Sequence, residues 1–312
     1  MLEYMTVTQA AEKWGISTRR VRLLCSEDKI KGVIREGRYY KIPVDTERPA
    51  DGRRLRGKII AKELAPLFLG IDRKKAELDR LRPFTEGELR RLRDDFMVDF
   101  TYNSNAIEGN TLTLRETAMV LEGMTIDQKP LKDHLEAVGH RDAFLYIEEL
   151  AQHNKKLRET DIKNIHSLVL MDRPGDRGRY RRIPVTIMGA FTEPVQPYLI
   201  EPKISELLAE NEKRRKTMHP IERIAHFHLE FEGIHPFIDG NGRAGRLLLN
   251  LDLIRCGYPP INVKFTDRRK YYDTFDTYYR DGNAESMIRL IGRYVDERLD
   301  KYIHIKTLDL ER

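Results

Sequence analysis

Residues 235–246, with the sequence HPFIDGNGRAGR, constrain this chain more than any other segment. They place an imidazole, a carboxylate, a Gly-Asn-Gly turn and two guanidinium groups on one loop and the beginning of one helix. Gly240 and Gly242 allow the backbone to turn tightly, and the apolar run at 247–251 predicts a helix that enters the core. A polar loop that leads directly into a buried helix predicts a functional site at the helix N-terminus.

The polar groups of this segment suit a bound phosphate. The backbone N–H groups of Gly240, Asn241 and Gly242 lie at the predicted helix start, where the helix dipole favours an anion. Arg243 and Arg246 are three residues apart, so both side chains face the same side of the first turn and the same anion. The pattern therefore predicts that the helix start and both guanidinium groups bind phosphate.

Asp239 and His235 add two further functions to this predicted site. Asp239 would repel a bare phosphate, so its presence indicates Mg²⁺ held between the carboxylate and phosphate oxygens. His235 has the side chain whose unperturbed pKa suits proton transfer near neutral pH. The residues together predict a nucleoside triphosphate site with a base beside it.

The segment resembles the Fic motif, HPFx[DE]GNGRxxR, and agrees with it at every specified position. The resemblance implies a mainly α fold, an all-helical Fic domain with a small β-hairpin flap. It also implies transfer of AMP from ATP to a Ser, Thr or Tyr hydroxyl of a target protein, self-modification included. His235 would accept the hydroxyl proton, Asp239 would hold Mg²⁺, and Arg243 and Arg246 would clamp the β- and γ-phosphates.

Residues 104–109, SNAIEG, resemble the (S/T)xxxE(G/N) inhibitory motif of autoinhibited Fic proteins. Its specified positions are Ser104, Glu108 and Gly109. A glutamate at the end of a helix over about residues 86–108 can form a bidentate pair with an arginine, and with Arg246 this would keep the guanidinium from the γ-phosphate. A plain helix end at the glycine is the alternative. In this family such a glutamate can also serve the reverse removal of AMP.

The segment from about residue 183 to residue 200 is predicted to form a flap. Their β-branched residues, glycine and prolines interrupt a helical chain, and 185–188 with a return near Val195 favour a short hairpin. The resemblance places this hairpin over the active site, where its exposed strand edge would pair with the backbone of the target. An irregular surface hairpin is the alternative.

The N-terminal residues 1–46 predict a separate small module. Residues 6–15 and 16–26 have the pattern of two helices joined at a glycine, and 30–43 alternate like a two-stranded wing. This resembles the winged helix-turn-helix of excisionase- and MerR-like regulators, and it implies DNA as a partner. A module used only for protein contact is the alternative. The predicted DNA contacts lie at the start of the second helix: Arg19, Arg20 and Arg22.

Composition and spacing set the remaining expectations. Residues 47–60 predict a basic linker, and the Fic domain is expected over 61–308. The chain has 312 residues, is 40% hydrophobic and carries a net charge of +6. It has no apolar run that approaches a membrane span and no signal-peptide pattern at its start. Because Cys25 and Cys256 are predicted to be free thiols, we expect a cytoplasmic protein without a membrane partner. The sequence leaves open whether the protein forms a homodimer.

Three alternatives accompany this reading. A metal site made by His226, His228 and His235 is disfavoured, because residues two apart on a helix point about 200° away from each other. The remaining histidines are expected at the surface or in hydrogen-bonded structural roles. The chain could also be a DNA-binding regulator whose Fic domain only senses nucleotide, or a Fic-fold enzyme that moves another phosphate-containing group.

Overall fold

The computed structural model describes residues 3–15, 18–26, 29–37, 39–47, 52–81, 83–153, 156–186 and 193–310. The chain divides into two compact units, Met1–Glu63 and Leu64–Arg312. The division falls inside one long helix that begins at Gly52 and ends at Arg80.

The first unit combines two helices with a three-stranded antiparallel sheet of order β1-β3-β2. Met5 pairs with Ile42, and Arg35 pairs with Tyr40. The hairpin and both helices were predicted, whereas the first strand was not, because three residues are too few to show an alternating pattern. The elements are β1 (Tyr4–Thr6), α1 (Val7–Trp14), α2 (Thr18–Ser26), β2 (Ile34–Glu36) and β3 (Tyr39–Pro43).

Local signals in the sequence account for these elements. Thr6 and Gln9 form a capping box that begins α1, and Gly15 ends it in the left-handed conformation at φ 63°. Trp14 and Ile42 are buried in the small core of this unit. Of the three arginines predicted to contact DNA, Arg22 is exposed on α2. The side chains of the other two, Arg19 and Arg20, lie outside the described residues.

The second unit is helical throughout its described elements, as the fold class predicted. Its long helices pack side by side, and two 3₁₀ turns connect them at Pro197–Leu199 and Phe265–Asp267. The helices are α3 (Gly52–Arg80), α4 (Glu86–Ile107), α5 (Leu114–Leu121), α6 (Leu131–Gln152), α7 (Glu159–Val169), α8 (Ile200–Arg214), α9 (Pro220–Ile234), α10 (Asn241–Arg255), α11 (Arg268–Asp281) and α12 (Glu285–Leu310).

The predicted basic linker at 47–60 is only partly a linker. Helix α3 already begins at Gly52, so most of the segment is helical. Its sequence after that glycine, RRLRGKII, contains three arginines, a lysine and a leucine, which favour a helix, and Pro49 precedes the helix instead of interrupting it.

Helix α10 lies at the centre of the second unit and packs against α4, α6, α7 and α9. It is buried on nearly every side, as expected of a helix without a polar face. Leu247 and Leu251 belong to the main core. Asn250 uses its amide to bind both backbone groups of Ile261, at 2.9 and 2.7 Å. The core therefore fixes the orientation of the helix whose first turn carries the predicted site.

Helix α4 brings the predicted inhibitory motif to that first turn. Thr85 and Glu88 form a capping box at its start, and Glu108 is the residue that ends it. Gly109 follows in the left-handed conformation at φ 95°. The helix thus begins and ends where the sequence predicted.

The tip of the predicted flap, residues 187–192, lies outside the described residues. The described flanks at 183–186 and 193–196 carry no strand, and a 3₁₀ turn follows them. The hairpin stays a prediction. None of the described helices has both the length and the apolar character needed to cross a membrane.

Candidate active site

The loop between α9 and α10 is closed by a single buried amide. Helix α9 ends at Ile234, and His235 adopts the left-handed conformation (φ 50°, ψ 60°), which is uncommon for a residue other than glycine. Asn241, only 2% exposed, accepts a hydrogen bond from the backbone N–H of Phe237 and donates one to its carbonyl, both at 2.9 Å. The sequence analysis gave Asn241 only a backbone role, whereas its side chain holds the loop in shape.

Arg181 holds the same loop from the other side. Its Nε donates to the carbonyl of His235 at 2.8 Å, and its backbone N–H donates to Pro236 at 3.0 Å. Its two terminal nitrogens donate to the carbonyls of Ile183 and Val195, which are at the two ends of the predicted flap. This buried arginine therefore joins the flap to the loop that carries the histidine. Sequence reasoning missed it, since backbone carbonyls leave no residue pattern.

His166 is a second support that has no signal in the sequence. Its Nδ1 accepts from the backbone N–H of Gly178 at 3.0 Å, so Nε2 carries the hydrogen and donates to the carbonyl of Asp239 at 2.9 Å. The ring stacks on Phe237 with centroids 3.6 Å apart. Burial lowers the pKa of His166 to about 4. A neutral, hydrogen-bonded structural histidine is what the sequence analysis expected here.

His235 is itself poised to accept a proton. Burial lowers the pKa of its imidazole to about 4, and the positive charge of Arg181 acts in the same direction. The ring is therefore neutral near pH 7, with one nitrogen free to act as a base. No group of three or more histidine, cysteine or acidic side chains that could hold a metal occurs among the described residues.

Asp239 presents an ionised carboxylate beside the helix start. Its Oδ1 accepts from the backbone N–H of Gly240 at 2.6 Å, and its Oδ2 lies 3.2 Å from the guanidinium of Arg173. Burial alone would raise the pKa of Asp239, but the charge of Arg243 and the hydrogen bond outweigh it, and the net shift is downward. About a third of the side chain is exposed, so it remains accessible.

Arg246 contacts the predicted inhibitory motif directly. This arginine is 2% exposed; its Nε donates to Ser104 Oγ at 3.0 Å and one terminal nitrogen donates to the Ser104 carbonyl at 2.7 Å. The same terminal nitrogen donates to Glu108 Oε1 at 2.8 Å. The predicted partners therefore meet, but the predicted bidentate pair is wrong. Ser104 binds Nε and the terminal nitrogen that also contacts Glu108, whereas the other terminal nitrogen is buried without a hydrogen-bond partner among the described residues.

The carboxylate of Glu108 also lies against the first turn of α10. A Cβ atom placed on Gly242 would be 2.3 Å from Glu108 Oε1 and 3.1 Å from a terminal nitrogen of Arg246. Only a glycine permits this approach. A helix N-terminus attracts anions, so the carboxylate occupies the position where the sequence analysis expected a phosphate.

Arg243 has different partners. Its guanidinium is 1% exposed and lies 2.8 Å from Glu136 Oε1 and 3.4 Å from Asp239 Oδ1. Glu136 belongs to α6 and is only 4% exposed. Sequence reasoning missed this glutamate, although an acidic residue at a buried position of a helix is itself a signal of a charged partner.

The site residues that the sequence predicted converge from two elements. Helix α10 and the loop before it supply His235, Asp239 and Arg243, with the helix-start amides and Arg246, while α4 supplies Ser104 and Glu108. The three N-terminal arginines belong to the first unit.

Comparisons with known proteins find Fic relatives of this chain. Residues 156–253 match the Fic/DOC family. The chain is 33% identical over 276 residues to the protein adenylyltransferase Fic of Nematostella vectensis, which covers 85% of this chain and 62% of that protein. It is also 33% identical over 258 residues to the protein adenylyltransferase fic-1 of Caenorhabditis elegans, covering 78% and 50% of the two chains. The chain thus spans between half and two thirds of the length of these relatives.

Solved structures show the same fold. A Fic domain containing signaling protein from Bacteroides thetaiotaomicron superposes with a TM-score of 0.70 at 26% identity, over 76% of this chain and 97% of that one. Fic-1 from C. elegans superposes with a TM-score of 0.72 at 27% identity, over 84% and 79%.

Proposed function

We propose that the protein transfers AMP from ATP to a hydroxyl group of a protein side chain, because residues 156–253 match the Fic/DOC family. One observation carries the proposal: a neutral His235 stands beside a helix N-terminus that is flanked by two buried arginines. The relatives that cover most of this chain are named protein adenylyltransferases, which supports it.

The proposed step needs little besides positioning and charge. The hydroxyl oxygen attacks the α-phosphorus, the bond from that phosphorus to the bridging oxygen breaks, and pyrophosphate leaves. His235 accepts the hydroxyl proton as this bond forms. The N–H groups at the start of α10 and the guanidinium groups of Arg243 and Arg246 balance the phosphate charge. The loop contacts of Asn241 and Arg181 keep the imidazole in one place relative to these groups.

Asp239 fits the Mg²⁺ that this reaction would use. Mg²⁺ at a nucleotide is usually held by one or two carboxylates together with phosphate oxygens, and Asp239 offers one ionised, accessible carboxylate next to the predicted phosphate position. When bound there, the ion would neutralise charge on the phosphates. The contact with Arg173 keeps the same carboxylate paired when no cation is bound.

We propose further that Glu108 restrains the reaction. Its carboxylate contacts Arg246 and lies against Gly242, so a γ-phosphate seated there would have to displace it. ATP whose γ-phosphate is not bound at this position would present its α-phosphorus in a poor orientation for in-line attack. A carboxylate at this place is also suited to hold a water molecule that removes AMP from the product.

The test is transfer of label from α-labelled ATP to protein, in a lysate and with the purified chain alone, which also reports self-modification. His235→Ala should lower the labelling rate by about 10² to 10⁴ while Mg-ATP still binds. His304→Ala, an exposed histidine of α12, is the matched control and should label like the unchanged protein. Near-normal labelling by His235→Ala would remove the histidine from its assigned role. ATP binding without any transfer, even in Glu108→Gly, would favour a nucleotide sensor.

We propose that the first unit binds DNA and that the protein acts in the cytoplasm. Two helices joined through Gly15 and followed by a hairpin have the arrangement of a winged helix-turn-helix, and Arg22 is exposed on the second helix. The free cysteines, Cys25 and Cys256, suit a reducing compartment.

Binding to duplex DNA should weaken steeply as salt rises, and replacing Arg19, Arg20 and Arg22 should weaken it without changing AMP transfer. A control triple variant at Arg280, Arg289 and Arg293, exposed arginines of the second unit, changes the net charge equally and should leave DNA binding unchanged. If the unchanged protein binds no duplex even at low salt, the module serves protein contact instead.

A further inference from the structure

Glu136 contacts both Arg243 and the segment that follows Glu108. One carboxylate oxygen, Oε1, lies 2.8 Å from the guanidinium of Arg243. The other, Oε2, accepts a hydrogen bond from the side-chain amide of Asn110 at 2.9 Å. Arg243 faces the predicted phosphates, whereas Asn110 follows Glu108 by two residues in the chain. A single buried carboxylate therefore contacts the phosphate side of the site and the segment that blocks it.

The segment after Glu108 is also held to α6 by Asp133. Asp133 Oδ2 accepts from both the backbone N–H and the hydroxyl of Thr111, at 2.9 and 2.6 Å. The amide of Asn110 also donates to the carbonyl of Asp133 at 3.1 Å. These contacts with α6 oppose movement of Glu108 away from Arg246. Among the described hydrogen bonds and ion pairs, only the contact through Glu136 also reaches Arg243.

We propose that Glu136 is a positioning residue that couples phosphate binding at Arg243 to the release of Glu108. The proposal rests on the proposed nucleotide site. A buried carboxylate keeps a charged partner in preference to a neutral amide, because an unpaired buried charge is very costly. When a phosphate draws the guanidinium of Arg243 towards itself, Glu136 follows it and gives up Asn110. The segment that ends α4 then loses a tether, and Glu108 leaves more readily.

Glu136→Gln separates the two contacts with little change of shape. Arg243 and Asn110 are both donors, and a carboxylate can accept from each with a different oxygen. Lys132, which is exposed on the same helix, also lies 3.5 Å from Oε1. A glutamine offers only one acceptor oxygen, so one of the two contacts is lost and the relay is interrupted. Asn110→Ala interrupts the relay from the other end, at a residue that is only half-buried, and it keeps the proposal testable if Glu136→Gln folds poorly.

The experiment measures hydrogen exchange of residues 104–112 in the full chain, with and without saturating ADP. ADP lacks the γ-phosphate that Arg246 would hold, so it does not compete with Glu108 directly and reports the route through Arg243. In the unchanged protein, ADP should speed exchange of this segment by about fivefold or more, the lower end of ordinary coupling between sites. In Glu136→Gln and Asn110→Ala, this response should largely disappear although ADP still binds.

Asp133→Asn is the matched control. Asp133 fastens the same segment but touches Thr111 instead of Arg243. This variant should raise exchange without ADP and keep the ADP response. ADP binding that leaves exchange of residues 104–112 unchanged, or an unreduced response in Glu136→Gln, would overturn the coupling alone. Absence of ADP binding would overturn the nucleotide site as well, whereas absence of AMP transfer would leave this test unaffected.

Discussion

The loop that carries His235 and the contact that Glu108 makes with Arg246 are held in opposite ways. The loop is fixed by Asn241, Arg181 and His166, which are directed mainly at backbone groups and are largely buried. The inhibitory contact uses one carboxylate oxygen, and the side chain of Glu108 is 31% exposed. Buried hydrogen bonds are expensive to break because their partners cannot turn to water, whereas a water-exposed ion pair contributes less.

The loop that carries His235 must keep its position during the reaction, whereas Glu108 must move away from Arg246. A base has to keep its position through every turnover, since a displacement of about 1 Å can cost 10²-fold in rate. A restraint has to be strong enough to hold and weak enough to leave. Loss of a loop contact should therefore reduce activity, and loss of the inhibitory contact should increase it.

The largest effect among the contacts that hold the loop is expected from Asn241→Ala. It removes both hydrogen bonds to Phe237 and leaves a buried backbone N–H and carbonyl without partners. The labelling rate should fall by at least about a hundredfold, since the base loses its position. The melting temperature should fall as well. The control is Asn164→Ala, at an exposed position of α7, which should change neither quantity. Full activity in Asn241→Ala would mean that the loop keeps its shape without this amide.

A gain of smaller size is expected from Glu108→Gly. A charge-assisted hydrogen bond contributes about 1.5 to 3 kcal/mol, and about 1.36 kcal/mol corresponds to one decade of rate. The labelling rate should therefore rise about ten- to a hundredfold. Glu122→Gly is a close control, because Glu122 ends α5 in nearly the same conformation (φ −83°, ψ 0° against φ −88°, ψ 3°) and is likewise exposed, but belongs to α5 instead of the inhibitory motif. If both variants label at the original rate, Glu108 is only a helix-end residue.

The effects of Glu108→Gly and Arg246→Ala on the labelling rate are expected to be non-additive. Arg246 serves both the restraint and the proposed γ-phosphate, so Arg246→Ala should abolish labelling with or without Glu108. The gain from Glu108→Gly should vanish in that background, which is the non-additivity expected of residues in contact. An equal gain in both backgrounds would show that Glu108 acts through another group.

The sequence predicted the parts of this site that are contiguous or fall into a spacing pattern. His235, Asp239 and Arg243 lie in one segment, and the helical periodicity around it placed α10 in the core. The end of α4 at Glu108 was expected from the glycine that follows it. The pairing of Glu108 with Arg246 was expected from the resemblance of residues 104–109 to the inhibitory motif.

The supports of the site could not be predicted in the same way. Arg181 and His166 bind backbone groups, which every residue has, so no sequence pattern distinguishes their partners. Glu136 contacts residues on two other elements, and only the packing of α6 against α10 brings them within reach. The single contact between Glu108 and Arg246 depends on the rotamers of the two side chains, which residue types do not determine.

The smallest effect concerns pH and sharpens the claim that the loop is rigid. Because burial lowers the pKa of His235 to about 4, more than about nine-tenths of the imidazole should still be neutral at pH 5.5, against roughly one-tenth for an ordinary histidine. In Glu108→Gly, the labelling rate should then change little between pH 7 and 5.5. An NMR titration of the His235 ring, assigned by comparison with His235→Ala, measures the pKa directly.

The same depressed pKa also predicts how stability depends on pH. The unfolded chain takes up a proton at this histidine below about pH 6.5, whereas the folded chain does so only near pH 4. Stability from this group is complete above about pH 6.5 and is lost as the pH falls towards 4, by at most about 1.4 kcal/mol per pH unit. His235→Ala should therefore lose stability less steeply than the unchanged protein over that range. Parallel slopes in urea unfolding, or a ring that titrates near 6.5, would mean that the loop opens to water and is less rigid than its contacts indicate.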